Sequence, residues 1–111
     1  MTALPVDFQE EMKKLLKDKY KLYEDSFDDE PFRGISINRL KATPEQVQKI
    51  LPFKITKSPF YTDGWYIPGD EQGVGNLPIH HSGAFYVQEP SATSAVELLE
   101  IQPNDKVLDS C

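Results

Sequence analysis

The chain has 111 residues, enough for one domain with a modest core, and its composition is globular: 39% hydrophobic, 11% aromatic and 27% charged. No apolar run approaches the ~20 residues of a membrane span, the N-terminus lacks a signal-peptide pattern, and the single cysteine, Cys111, excludes an internal disulfide framework. A net charge of −6 argues against a nucleic-acid binder that is basic throughout, and a reducing, cytoplasmic location is the expected default.

The charge is distributed unevenly along the chain. Residues 1–30 carry five lysines against nine acidic residues, and residues 61–111 carry one lysine against eight. Between them lies a basic segment, residues 31–60, which holds six cations and a single acidic residue, Glu45. The overall charge therefore conceals a region that could contact an anionic partner.

The first predicted element is a helix over residues 5–23, followed by an acidic linker over 24–30. Apolar residues recur there at spacings of three and four, which indicates one buried helix face: Phe8, Met12, Leu15, Leu16, Tyr20 and Tyr23. The clustered carboxylates of the linker lack the spacing and the glycine of a calcium-binding loop, so a solvated loop is expected.

The basic segment predicts a small β-α-β unit and a further strand. Residues 33–41 alternate, with Ile35, Ile37 and Leu40 assigned to an apolar face. Thr43 and Gln46 have the spacing of a capping box, with Pro44 at the first helical position. The helix that follows is expected to bury Val47, Ile50 and Leu51, and two extended stretches come next, FKITKSPF and Gly64–Ile67. This order resembles part of a ferredoxin-like or RNA-recognition sheet.

The last third of the chain predicts a loop over 68–78, a short strand over 84–87, a helix and a final strand. His80 and His81 have no partner cluster at metal-ligand spacing, so no metal site is expected. Ser94 and Glu97 have capping-box spacing, and the helix is expected to bury its apolar residues: Ala95, Val96, Leu98, Leu99 and Ile101. Lys106–Asp109 then predicts a strand that enters a parallel α/β sheet.

Several blocks in one order carry a resemblance to a known family. They are LPVDFQEEMKKLL, GISINRLK, LPFKI, GWYI and PIHHSGAFYVQEPSA, with KVLDSC after them. In this order they resemble the N-terminal part of the Sun family of RNA cytosine-5 methyltransferases, which includes bacterial ribosomal-RNA methylases and nucleolar homologues. The resemblance implies an enzyme that transfers a methyl group from S-adenosyl-L-methionine to RNA, with ribosomal RNA as the expected partner.

The resemblance also implies which residues carry the chemistry. The family uses one cysteine as the nucleophile and a second to release the product, and both lie in later motifs, so no catalytic residue is expected within the chain. Asp109 and Cys111 match the cofactor loop, in which this sequence stops at the cysteine. The chain is therefore expected to be a truncated, inactive portion whose cofactor site is incomplete.

RNA contacts are expected from the basic segment and from its GISINRLK block, in six residues: Arg33, Asn38, Arg39, Lys41, Lys54 and Lys57. Trp65, Tyr66 and Phe60 could stack on bases, although core or hairpin packing explains them as well. Gln88, Glu89 and Ser91 match a family element beside the catalytic cleft, which implies a positioning role. A strand-to-helix turn with a serine cap explains these three residues equally well.

The predicted fold class is α+β, in three parts. Residues 1–30 form a helix and linker, residues 31–79 a basic accessory unit facing RNA, and residues 80–111 the first helix and strand of a Rossmann-like methyltransferase domain. Two alternative functions stay open: a free-standing RNA-binding module and an acidic protein-interaction domain. Neither the modified cytosine nor the oligomeric state follows from the sequence.

Overall fold

The computed structural model describes residues 4–111, so Met1 to Ala3 of the predicted N-terminal segment lie outside the described residues. These residues form α-helices and an antiparallel sheet, which confirms the α+β class. The chain divides into two compact units, residues 1–31 and residues 32–111. The first unit is helical, and the second contains the whole sheet and all of the main hydrophobic core.

The N-terminal helix is interrupted rather than continuous. Helix α1 spans Val6–Leu16, a 3-10 turn spans Lys17–Lys19, and helix α2 spans Tyr20–Asp25. Lys17 has a φ of 50°, in the left-handed region that breaks a right-handed helix. Leu15 is exposed, whereas Tyr20 is buried, so the predicted apolar face is only partly buried. Most of the predicted linker is helical, because α2 extends to Asp25 and a second 3-10 turn spans Ser26–Asp28.

The second unit is a four-stranded sheet with the order β2-β3-β1-β4. Strand β1 spans Arg33–Ile37, β2 spans Thr56–Lys57, β3 spans Gly64–Ile67 and β4 spans Phe85–Val87. β1 pairs antiparallel with both β3 and β4, and β2 pairs antiparallel with β3. β1 and β2 are therefore parallel with β3 between them, which is the split β-α-β arrangement of ferredoxin-like sheets. The topology expected from the basic segment is confirmed.

Helix α3, Pro44–Ile50, connects β1 to β2 and begins with the predicted capping box. The Gln46 amide donates to Thr43 Oγ1 (3.3 Å), and the Thr43 amide donates to Gln46 Oε1 (2.9 Å). The helix buries Val47 and its cap residue Leu51 against the sheet, but Ile50 faces solvent. The burial expected of Ile50 is therefore wrong, as is that of Leu40, which lies in a turn after β1 and is 96% exposed.

Short elements fill the segment between β3 and β4, where the sequence predicted a loop. They are a 3-10 turn, Val74–Asn76, and helix α4, Pro78–His81. Val74 and Ile79 anchor both to the core beside Phe85 of β4. The proposed boundary after residue 79 therefore runs through the unit, because β4 belongs to the same sheet as β1.

The C-terminal segment departs most from its prediction. Helix α5 spans only Ser94–Leu98 after a 3-10 turn, Pro90–Thr93, and none of its residues is buried. The expected Ser94–Glu97 capping box is absent, because Glu97 accepts from Thr62 instead. Residues 106–109 form no strand, and Val107 and Leu108 are exposed. Lys106–Asp109 pairs with no neighbouring strand among the described residues, so the predicted strand is not formed there.

Candidate nucleic-acid interface

Asn38 organises the turn between β1 and α3. Its Nδ2 donates to the Gly83 carbonyl (3.1 Å), its Oδ1 accepts from the Leu40 amide (3.1 Å), and its own amide donates to the Ala84 carbonyl (2.9 Å). These bonds fasten the turn to the segment before β4. Both polar ends of the Asn38 side chain therefore hold the turn in place, and its contact with RNA stays a prediction.

Arg39 and Lys41 flank Leu40 in this turn, and each is oriented by the protein. Arg39 Nε lies 2.6 Å from Asp63 Oδ1, and this bond raises the pKa of the Arg39 guanidinium. Lys41 Nζ donates to the Ser82 carbonyl (2.7 Å), and its side chain packs over Gly83, whose φ of +79° suits glycine. Both cations retain donors that bond to nothing in residues 4–111, so both can still bind phosphate.

Arg33 and Lys57 are more fully engaged. Arg33 Nη1 donates to the Glu71 carbonyl and ties β1 to the loop after β3. Lys57 Nζ donates to the carbonyls of Tyr61 and Thr62, and it lies 4.9 Å from the centroid of the Trp65 ring. These contacts stabilise loops of the sheet. They reduce, without removing, the capacity of both residues to bind RNA.

Lys54 and Lys49 are the two cations of the basic segment that have no ion pair or hydrogen bond within residues 4–111. Both are exposed. Lys54 was among the predicted RNA contacts, whereas Lys49 was counted only in the charge of the segment. Lack of a local partner is a property of the tertiary structure, and the sequence carried no signal that separated Lys49 from the other cations.

The aromatic candidates occupy different sides of the sheet. Trp65 pairs with Ile35 across β1 and β3 and packs against the core, so it lies on the inner face. Tyr66 pairs with Gly34 and lies on the outer face, where Phe32 is 5.7 Å away between ring centroids. Phe60 is 40% exposed in the β2–β3 loop. The three residues therefore do not form one stacking surface.

The outer face of the sheet is partly covered. The turn Pro90–Thr93 packs against β1 and β3, with Thr93 buried. A Cβ built on Gly34 would lie 3.0 Å from Pro90 Cγ. RNA-recognition domains stack bases on this face of their sheet, so the covered centre removes the usual platform.

Gln88, Glu89 and Ser91 form the turn that leads from β4 to this cover. The Gln88 amide donates to the Gly34 carbonyl (3.0 Å), and its Oε1 accepts from Ser36 Oγ (3.2 Å). Glu89 caps the 3-10 turn by accepting from the amides of Ser91 (3.1 Å) and Ala92 (2.9 Å). The Ser91 hydroxyl donates to Glu89 (2.6 Å), and this bond, with those amides, lowers the pKa of Glu89. The cap is therefore the glutamate rather than the expected serine.

Asp109 and Cys111 lie in the irregular C-terminal segment. Both are exposed, and the Asp109 carboxylate accepts from the Cys111 amide (3.0 Å). Together with Gln88 they line an open groove of about 500 Å³ whose apolar wall includes Val96 and Leu99 of α5 and its flank. The structure thus brings a predicted cleft residue near the predicted cofactor residues, without an enclosed site around them.

Neither a metal-ligand cluster nor a membrane-spanning helix occurs within residues 4–111. No three His, Cys, Asp or Glu side chains in that range are arranged to hold a metal ion. No helix in the same range is long and apolar enough to cross a membrane.

Comparison with protein families identifies a family for most of the chain. The family model described as the N-terminal domain of 16S rRNA methyltransferase RsmF matches residues 4–90. The matched range includes the N-terminal helices and the whole four-stranded sheet, and it ends at the start of the turn that covers the sheet. Since it covers most of the chain, the protein belongs to the family of N-terminal domains of the 16S rRNA methyltransferase RsmF.

Proposed function

We propose that this chain positions RNA for an S-adenosylmethionine-dependent RNA cytosine-5 methyltransferase that acts on ribosomal RNA. The family match over residues 4–90 carries the proposal, since it associates the chain with an rRNA methyltransferase. The blocks from LPVDFQEEMKKLL to PIHHSGAFYVQEPSA support the finer assignment to cytosine C5 and to this methyl donor through their resemblance to the Sun family. A cytoplasmic location goes with this proposal.

The exposed cations of the second unit support the RNA-positioning role. Arg39 and Lys41 keep unused donors beside their structural bonds, and Lys49 and Lys54 are unpaired in the described part of the chain. Binding of cations to phosphates releases counterions, so affinity should fall with salt by a slope of about −0.7 per contacted phosphate of single-stranded RNA. Four such contacts would give a strongly salt-dependent association.

The residues assigned to the methyl donor do not fit it in this chain. Asp109 and Cys111 are exposed in an irregular segment, and Asp109 is bonded to the Cys111 amide rather than directed at an enclosed site. The chain also has one cysteine, whereas the chemistry of the resembled family uses two. No step of methyl transfer is therefore assigned to these residues, and the chain by itself is expected to be inactive.

Two measurements test this function. Fluorescence anisotropy with labelled 16S rRNA fragments at low and moderate salt should show binding that weakens steeply as salt rises. Binding that is absent at low salt would contradict RNA positioning and favour a protein-interaction domain. Incubation of the chain with a labelled methyl donor and cytosine-containing RNA should yield no transfer, and measurable turnover would contradict the expected inactivity.

A further inference from the structure

A small groove lies between α3 and the inner face of the sheet. Its lining residues are Pro44, Glu45, Gln48, Ile55 and Trp65, and its volume is about 210 Å³. That volume lies below the range of about 300–1,000 Å³ typical of sites for drug-sized ligands, so the groove suits a single planar ring system. We call it the Trp65 groove.

The wall of the Trp65 groove is held in place before any ligand arrives. Gln48 Nε2 donates to the Phe53 carbonyl (2.8 Å), and Gln48 Oε1 accepts from the Ile55 amide (2.8 Å). Both polar ends of this side chain are thus used to fasten the segment after α3 to the helix. Such preorganisation lowers the entropic cost of ordering the wall when a ligand binds.

One lining residue, Trp65, carries an unsatisfied hydrogen-bond donor. Trp65 Nε1 is buried and has no acceptor in the described structure. A buried donor without a partner costs about 1–3 kcal/mol, so an acceptor supplied from outside would be favourable. Because this N–H is buried, the indole ring would have to turn before the N–H could meet that acceptor.

Three cations adjoin lining residues of the groove, two along the chain and one by contact. Lys49 follows the lining residue Gln48, Lys54 precedes the lining residue Ile55, and Lys57 lies over the Trp65 ring. The first two are unpaired within residues 4–111, whereas Glu45 is the one acidic residue of the lining. A carboxylate can accept from the exocyclic amine of a base, while the lysines attract the phosphates that flank it.

We propose that the Trp65 groove binds one unpaired base of an RNA strand, with the adjoining phosphates on Lys49 and Lys54. The base packs against Pro44, Ile55 and the indole ring, accepts from Trp65 Nε1 and donates to Glu45. This inference rests on the proposed RNA-positioning function and specifies which surface performs it. The occupant is a nucleobase rather than a free phosphate, because the groove has apolar walls and its one charged lining residue, Glu45, would repel a phosphate.

The full chain offers a direct readout, because Trp65 is its single tryptophan. Titration with a short unstructured oligoribonucleotide that contains cytosine should change Trp65 fluorescence and shift the one indole N–H signal downfield. Both changes should saturate at the RNA concentration that saturates anisotropy of the labelled strand. RNA binding by anisotropy without any change at Trp65 would overturn the groove assignment and leave the proposed function standing.

Substitutions distinguish binding in the Trp65 groove from a general effect of positive charge on RNA affinity. Lys49→Gln and Lys54→Gln should each reduce the slope of log affinity against log salt by about 0.7. Lys106→Gln removes the same charge outside the groove. In this variant, RNA should change Trp65 fluorescence as much as it does in the unmodified chain. Trp65→Phe, which keeps a ring but removes the N–H, should weaken binding about two- to ten-fold in a folded protein. Equal slopes for all three lysine variants would overturn the proposal, whereas no RNA binding by the unmodified chain would remove the proposed function itself.

Discussion

Gly34 lies at the point where the outer face of the sheet is most tightly covered. A Cβ there would meet Pro90 Cγ at 3.0 Å, the Trp65 carbonyl at 3.0 Å and the Gln88 carbonyl at 3.1 Å. Two of these atoms belong to the backbone and cannot move away without disturbing the pairing of β1. We therefore expect Gly34→Ala to lower the free energy of unfolding by about 1–3 kcal/mol, measured by urea denaturation.

Gly75 provides the matched control for Gly34. A Cβ built on Gly75 has no neighbour within 4 Å, and its φ is not positive. Gly75→Ala should therefore leave the urea midpoint close to that of the unmodified chain. A similar destabilisation by both changes would show that the contact with Pro90 is not the cause.

The hydrogen bonds that Glu89 accepts make the stability of the fold depend on pH. Its pKa is lowered below the ordinary value by the Ser91 hydroxyl first and by the amides of Ser91 and Ala92. The unfolded chain therefore binds a proton more readily than the folded chain. The stability contributed by this cap is present above the ordinary pKa of glutamate and is lost as the pH falls through the lowered pKa.

Ser91→Ala tests this assignment. Removal of the hydroxyl should move the pKa of Glu89 upwards towards its ordinary value, as followed by the carboxyl carbon shift of Glu89 in an NMR titration. Ser110→Ala, in the exposed C-terminal segment, is the control and should leave the titration of Glu89 in place. An unchanged Glu89 titration in Ser91→Ala would refute the dominant role of the hydroxyl.

At the scale of elements, α3 forms the capping box that its sequence predicts. Its capping box satisfies two backbone donors at the helix start, and Pro44 occupies the first helical position. Thr43→Ala should cost about 1 kcal/mol of unfolding free energy, measured by denaturation. Ser94→Ala should cost less, since Ser94 forms no capping box and its hydroxyl only donates to the Ser91 carbonyl. Equal losses would contradict this difference.

Helix α5 does not form the capping box that its sequence predicts. Its sequence has capping-box spacing and an apolar side, yet it buries no residue, and Glu97 bonds to the Thr62 amide (3.1 Å) and hydroxyl (2.7 Å). This contact lowers the pKa of Glu97 and holds the helix to the β2–β3 loop. A helix with no buried face depends on such contacts, because packing normally supplies most of a short helix's stability.

At the scale of the molecule, the main hydrophobic core lies entirely within the second unit. Its members come from β1, β3 and β4, from α3 and α4 and from the segments between them, including Ile35, Val47 and Phe85. We therefore expect a chain of residues 32–111 to keep the four-stranded sheet. Amide dispersion in an NMR spectrum and a cooperative urea transition would establish this, and a collapsed spectrum would contradict it.

Several elements were predictable because their signals are local. The alternation in β1, the extended stretch Gly64–Ile67 and the box at Thr43 each involve residues within one element, and the structure contains all three. The five candidate cations were likewise visible as charge. Their partners were not, because Asp63, Ser82 and Glu71 reach Arg39, Lys41 and Arg33 only after the strands pair. Sequence reasoning therefore located the basic region but not the pairing of its cations.

The sequence by itself determined the α+β class, the capped helix between two strands and, through its ordered blocks, the kind of protein. Only the tertiary structure decided that β4 joins the sheet of β1, that Pro90 covers its outer face and that residues 106–109 form no strand. The physical reason is the same in each case. Strand pairing and burial depend on residues far apart in the chain, so a segment such as KVLD, which predicts a strand, stays irregular where no neighbouring strand accepts its hydrogen bonds.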